Sequence, residues 1–331
     1  MSHAIIAAVE IATTDYHTAG EPFLIVAEGA VDIPGASVLE RREYAASSEA
    51  VERVRRLLCH EPRGHADMYG GFVVPADDDG ADFGVLFWHK DGYSTACGHG
   101  TIAHGAWAVE SGRVDAPADG AVDVTIDVPS GRVVAHVECR GGDVQSVGFR
   151  NVPSYVVARD VPAGAVRVDV AYGGAIYAFV PASQLGLTIA ADALADLISA
   201  GRRIKAALAG SDVAAHPEDP RLSGIYGTVI HEEVGPRHHR NVVVFADGEV
   251  DRSPTGSATS ARTALMADAG ELDNGESWRN DSIVGTSFTA RVIGREPRGV
   301  LTEVEGTAFR TGEHRFVLDP RDELGTGFVL R

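Results

Sequence analysis

The chain has 331 residues, with 29 Lys and Arg against 47 Asp and Glu, a formal charge of −18. That length suits about two domains with a sizeable core, and the negative charge argues against nucleic acid as a partner. No apolar run reaches the ~20 residues of a membrane span, and Met1-Ser2-His3-Ala4 does not open like a secretory leader. Three cysteines, an odd and low count, fit a reducing cytoplasm better than a disulfide framework.

Taken in order, Ile11 to Val26 reads as a hairpin-like start, turn-rich from Asp15 to Pro22, with Phe23-Leu24-Ile25-Val26 as a β run. Ser47 to His60 has helical spacing, with Val51, Val54, Leu57 and Leu58 on one face and Cys59 beside it as a core residue. A Gly-punctuated loop carries Glu61-Pro62-Arg63-Gly64-His65 and Met68-Tyr69-Gly70. Phe72-Val73-Val74-Pro75 and Phe83 to Trp88 are strands around the acidic turn Asp77-Asp78-Asp79-Gly80. That turn reads as a solvated hairpin tip, because the spacing of a calcium loop is missing. Strands follow at Val122 to Val128, Arg132 to Cys139, Val144 to Phe149 and Tyr155 to Val157, with Cys139 structural.

Past Val166 the pattern repeats. Val168 to Val180 echoes the opening hairpin, with Gly174 on Gly20 and Tyr177 on Phe23. Ala191 to Ala209 is helical, and Ile225 to Ile230 and Val242 to Phe245 are strands flanking His231 to Arg240. Thr286 to Val292 matches Gly131 to Val137. Four matches in one order, at offsets of 154 to 158 residues, indicate an internal duplication. The expected halves are 1–165 and 166–331, with the chain end free to cross back to the first.

The duplication centres on two loops, each leading into a helix-like run. One is Ser94-Thr95-Ala96-Cys97-Gly98-His99-Gly100-Thr101, and the other is Asp251-Arg252-Ser253-Pro254-Thr255-Gly256-Ser257-Ala258-Thr259. Aligning them puts Gly98 on Gly256, Thr101 on Thr259, and Cys97 on Thr255. A helix start offers unpaired N–H groups and a positive field, so two such starts facing each other make a site for a small carboxylate. The same field favours a thiolate, which makes Cys97 a candidate base or nucleophile with His99 beside it. For Thr255 simple helix capping is the competing explanation. His238-His239 and His60/His65 lack a matching ligand set and read as solvated histidines rather than metal ligands. Tyr69 and His231 are pocket candidates without an assigned place.

These stretches, together with Tyr16-His17-Thr18-Ala19-Gly20-Glu21-Pro22, resemble the proline racemase family over nearly the whole chain. The resemblance implies an α/β fold similar to diaminopimelate epimerase: two pseudo-symmetric halves, each a sheet wrapped around a central helix. It implies chemistry without a cofactor or metal, on a small imino acid, with no nucleic-acid or membrane partner. The oligomeric state, a homodimer included, stays open. Family racemases and epimerases use two thiols on opposite faces of the substrate Cα. Here Cys97 matches the first, and Thr255 stands where the second is expected. The Asp-Arg-Ser-Pro-Thr-Gly version resembles the trans-3-hydroxy-L-proline dehydratase branch. Carried over by position, the substrate contacts are Gly98, His99, Asp251, Gly256 and Ser257, with Asp251 on the ring ammonium.

A threonine hydroxyl is a far weaker acid than a thiol, so a second protonation is disfavoured while removal of the Cα proton survives. In trans-3-hydroxy-L-proline the 3-hydroxyl shares a face with the Cα hydrogen. Dehydration would therefore be a syn elimination, giving an enamine that tautomerises to Δ1-pyrroline-2-carboxylate. A proline racemase or hydroxyproline epimerase is the runner-up, and a non-catalytic amino-acid-binding protein is the alternative of another class.

Overall fold

The computed structural model describes residues 9–330. The first part of the chain forms β1 (Val9–Thr18), β2 (Glu21–Val26), α1 (Val38–Ser47), α2 (Glu49–Cys59), β3 (Tyr69–Val74), β4 (Phe83–His89), β5 (Gly92–Tyr93), α3 (Gly98–Glu110), β6 (Gly120–Val128), β7 (Gly131–Arg140) and β8 (Asp143–Arg150). The rest forms β9 (Tyr155–Ala163), β10 (Val166–Tyr172), β11 (Ile176–Pro181), α4 (Ala182–Leu185), α5 (Leu194–Leu208), β12 (Ile225–Gly235), β13 (His238–Phe245), β14 (Glu249–Asp251), α6 (Gly256–Asp268), β15 (Ser277–Asp281), β16 (Ser287–Glu296), β17 (Gly299–Gly306) and β18 (Ala308–Leu318).

Strand pairing repeats with the duplication. In the first half β1–β2 is antiparallel, β2–β3 parallel, β3–β4 antiparallel, β4–β6 parallel, and β6–β7–β8 antiparallel. The second repeats each step: β10–β11 antiparallel, β11–β12 parallel, β12–β13 antiparallel, β13–β15 parallel, β15–β16–β17 antiparallel. Two more strands complete the sheets, β18 from the far end of the chain and β9 from directly before β10. β18 pairs with β1, as β9 pairs with β10. β8 and β17 pair antiparallel and join the two sheets.

Each sheet curls around one helix. α3 is buried from Gly98 through Ala108, and α6 from Gly256 through Ala267 apart from Arg262. A helix without a polar face belongs inside a sheet rather than on it. α3 touches β1, β2, β6, β7, β8 and β18, while α6 touches β9, β10, β16 and β17. Small residues make this fit: a Cβ at Gly105 would lie 2.6 Å from the Ala135 Cβ. The family's fold is therefore observed, a mixed α/β architecture of two similar units.

Among the outer helices α2 is amphipathic. Its Val51, Leu57, Leu58 and Cys59 pack with Leu24, Phe72, Leu86 and Trp88 in a separate core outside the first sheet. α1 is absent from the sequence reading. Its start is a capping box, with Ser37 accepting from the Glu40 N–H at 3.2 Å and the Glu40 carboxylate accepting from the Ala36 N–H at 2.9 Å. β12 and β13 run on through His231 to Arg240, so the expected loop shrinks to the turn near Pro236. His239 is buried against the Trp278 ring at 5.1 Å, which corrects its reading as a solvated histidine. Strand alternation turns it inward while His238 bonds Asp281. The Asp77-Asp78-Asp79-Gly80 tip is tied down rather than simply solvated: Asp77 accepts from the Val38 N–H, and Asp78 pairs with Arg132.

Candidate active site

Both loops meet at the facing starts of α3 and α6. A Cβ at Gly98 would lie 2.5 Å from the Gly256 Cα, and one at Gly256 would lie 2.7 Å from the Gly98 Cα. Only two glycines allow backbones to approach this closely. Two sets of unpaired N–H groups therefore point toward one small space.

Cys97 is the N-cap of α3. Its Sγ accepts from the Gly100 N–H at 3.2 Å and lies 3.4 Å from His99 Nε2. The other imidazole nitrogen, Nδ1, is 3.3 Å from Asp251 Oδ2. Thr255 donates its hydroxyl proton to the same Oδ2 at 2.7 Å, and Oδ1 accepts from the Ser253 N–H at 2.7 Å. Cys97, His99, Asp251 and Thr255 thus form one chain of contacts across the two loops, and each is buried. Burial works against charge on both His99 and Asp251, yet the pair overrides it. The Cys97 and Asp251 charges hold the imidazole pKa well above its ordinary value. His99 and the hydroxyl and N–H donors hold the Asp251 carboxyl below its own.

Thr255 sits at φ +62° and ψ 101°. A β-branched residue there is strained by about 1–3 kcal/mol. Its side chain makes no helix-cap bond, so capping does not explain it. The conformation is held by the Asp251 bond, by the Thr255 N–H to Ser253 Oγ at 3.0 Å, and by Asn241 Nδ2 donating to the Pro254 carbonyl at 3.0 Å.

Hydroxyl-bearing side chains close the space. Tyr177 OH and Ser257 Oγ are 2.7 Å apart, on the α6 side. Tyr69 OH lies 2.5 Å from Ser94 Oγ and 2.9 Å from Tyr226 OH, with its ring edge-on to His99 at 4.9 Å. Val243 and Phe245 add apolar walls. The space they surround is only about 10 Å³. An outer cavity of about 360 Å³ adjoins it through Tyr226, lined also by Arg42, Ser94 and Lys205.

A second set of polar contacts ties the halves together. Glu21 accepts from the Arg252 N–H at 2.7 Å, and the Arg252 guanidinium pairs with Asp67 at 2.8 Å. Among the described residues, His89, Asp91 and Glu249 bring metal-type ligand atoms within 4.8 Å of one another. Those atoms already have protein partners: Glu249 faces His89 at 3.0 Å, and Asp91 accepts from the Asp247 N–H at 2.8 Å beside Lys90. His89 and Asp91 of this group line the outer cavity.

All seven residues singled out in the two loops, Cys97, Gly98, His99, Asp251, Thr255, Gly256 and Ser257, lie together around the cavity or at its helix starts. Of the two unplaced residues, Tyr69 lines it, whereas His231 lies away on β12, its pKa driven down to about 3 by burial and Arg262. Tyr177, Tyr226 and Ser94 escaped the sequence reading. For Tyr177 a signal existed: it matches Phe23, which packs on His99 at 5.7 Å, so its counterpart belonged against the second loop.

Comparisons with known proteins agree with this geometry. The family model described as proline racemase matches residues 13–329. A trans-3-hydroxy-L-proline dehydratase of Burkholderia ambifaria is 42% identical, covering 97% of this chain and 98% of its own. A 3-hydroxyproline 2-epimerase of Burkholderia multivorans is also 42% identical, with the same coverage. The crystal structure of a hydroxyproline epimerase from Agrobacterium vitis, with trans-4-hydroxy-L-proline bound, superposes with a TM-score of 0.89 at 29% identity, covering 97% of this chain and 95% of that one. Sequence, fold and the facing pair of loops lead to one assignment: the chain belongs to the proline racemase family.

Proposed function

We propose that this chain dehydrates trans-3-hydroxy-L-proline to Δ1-pyrroline-2-carboxylate. The observation that carries the assignment is Thr255, at the start of α6 opposite Cys97, with its hydroxyl committed to Asp251 at 2.7 Å. Cys97 as thiolate removes the Cα proton, and the adjoining His99 balances its charge. The N–H groups at Gly98 and Gly256 hold the carboxylate, and Ser257 orients the ring from the α6 side. Asp251 holds the ring ammonium. Thr255 lacks the acidity to return a proton on the far face, so the carbanion escapes by expelling the 3-hydroxyl. The dehydratase relative supports this outcome.

Epimerisation at Cα is the second reading, favoured by the relative of equal identity named a 3-hydroxyproline 2-epimerase. Wild-type and Cys97→Ser protein incubated with trans-3-hydroxy-L-proline separate the outcomes. Wild type should form the cyclic imine and C97S should lose about 1,000-fold or more, the scale of a positioned base. Near-full dehydration by C97S would refute Cys97 as the base.

A further inference from the structure

Removing the Cα proton is half of a dehydration; the departing hydroxyl also needs an acid. For a syn elimination that acid stands on the Cys97 face of the substrate. His99 is there, but both ring nitrogens already face Cys97 and Asp251, at 3.4 and 3.3 Å. Tyr177 bonds Ser257 on the opposite, α6 side. Tyr69 remains. It comes from β3 of the Cys97 half, lies edge-on to His99 at 4.9 Å, and lines the cavity.

Its hydrogen bonding suits the role. A phenol has one proton and two lone pairs. Ser94 Oγ at 2.5 Å and Tyr226 OH at 2.9 Å are each able to donate to it, which leaves the Tyr69 proton for the substrate. The same two donors would hold the phenolate once that proton has gone. Both line the outer cavity, so they connect Tyr69 with a source of protons.

We propose that Tyr69 is a catalytic acid, hydrogen-bonding the 3-hydroxyl of the substrate and protonating it as the C–O bond breaks, an assignment that rests on the dehydration proposed above. The Cα–H electron pair becomes the new C=C bond, and its proton goes to the Cys97 sulfur. The C–O pair leaves with oxygen, which takes the Tyr69 proton and departs as water. The phenolate regains a proton from solvent through Tyr226, and Cys97 exchanges its own with solvent. Burial first, then Tyr226 and the Cys97 charge, pushes the Tyr69 phenol well above its ordinary pKa against the Ser94 bond, so it enters the reaction protonated.

Full-length Tyr69→Phe keeps the ring and its packing while deleting the proton. In deuterated water with trans-3-hydroxy-L-proline, imine formation should fall by about 100-fold or more. Proton removal should continue, so deuterium should enter Cα of the recovered substrate with its configuration retained. Tyr226→Phe, which deletes one donor to the phenolate and its relay to solvent but leaves the acid in place, should cost about 10-fold. Dehydration by Y69F within about 3-fold of wild type would overturn the assignment. So would loss of exchange and dehydration together, or a larger loss in Y226F than in Y69F. Wild type forming no imine would fail the dehydratase reading and Tyr69 with it, whereas wild type active beside an active Y69F fails Tyr69 alone.

Discussion

Thr255 and Asp251 are joined by a hydroxyl-to-carboxylate bond of 2.7 Å, and this bond faces Cys97 where a second thiol would stand. The hydroxyl proton is directed into the protein, to a carboxylate that also contacts His99. In the proposed reaction one side of the site takes a proton, and the other gives none.

Restoring the second thiol should restore the second protonation. Thr255→Cys is expected to invert proline or a hydroxyproline at Cα, with solvent deuterium in the inverted isomer, at least about 10-fold above wild type. Chiral chromatography with mass detection reads this. A folded T255C that dehydrates but never inverts would show that Thr255 does not set the outcome.

The Asp251–His99 pair sets a pH window. Asp251 is depressed, so its contribution is present above about pH 4 and lost as pH falls through its folded pKa. His99 is raised, so its contribution is complete below about pH 6.5 and lost only as pH rises through its higher folded pKa. kcat/KM should show no inflection near the free imidazole value of about 6.5. Asp251→Asn should move a His99 titration down toward that value, visible in the histidine NMR signals. An unshifted titration in D251N would contradict the pairing.

Glu21 should behave in the opposite way. Burial first, then the charge on Asp251, pushes its carboxyl well above the ordinary value, and its Oε1 is buried without a hydrogen-bond partner. The folded state then holds a proton that the unfolded chain releases above about pH 4.5, so stability falls as pH rises. Glu21→Gln should flatten the decline of Tm between about pH 5 and 8. Parallel wild-type and E21Q profiles would refute a protonated Glu21.

Gly98→Ala tests whether the helix starts must touch. Its Cβ would enter at 2.5 Å from the Gly256 Cα, backbone against backbone. The expected cost is about 1–3 kcal/mol of stability with a larger loss of kcat/KM, since the loops are forced apart at the reacting centre. Gly256→Ala should do the same, and the double variant should cost less than the sum because both act on one contact. Unchanged Tm and kinetics in G98A would show that the approach is not required.

Much of this was legible in the chain, because duplication writes the same physical demands twice. Gly20 and Gly174 mark equivalent hairpin turns, and the small residues after Cys97 and Thr255 mark helices that fit inside a sheet. α1 was missed although Ser37 and Glu40 spell a capping box, because only Val38, Arg41 and Ala45 are buried and no apolar stripe forms. The chain end was expected to be free to cross back, but β1 as the partner of β18 was not readable, since alternation names a strand but not its neighbour. Nor was the convergence of Tyr69, Ser94 and Tyr226, which come from different strands and a loop and meet only when the halves pack.

The most direct measurement is one incubation of wild-type protein with trans-3-hydroxy-L-proline in deuterated water, followed by NMR. The account predicts Δ1-pyrroline-2-carboxylate as the product, with no Cα-inverted hydroxyproline. Deuterated, inverted hydroxyproline without the imine would contradict it, because a second protonation would then occur where Thr255 stands.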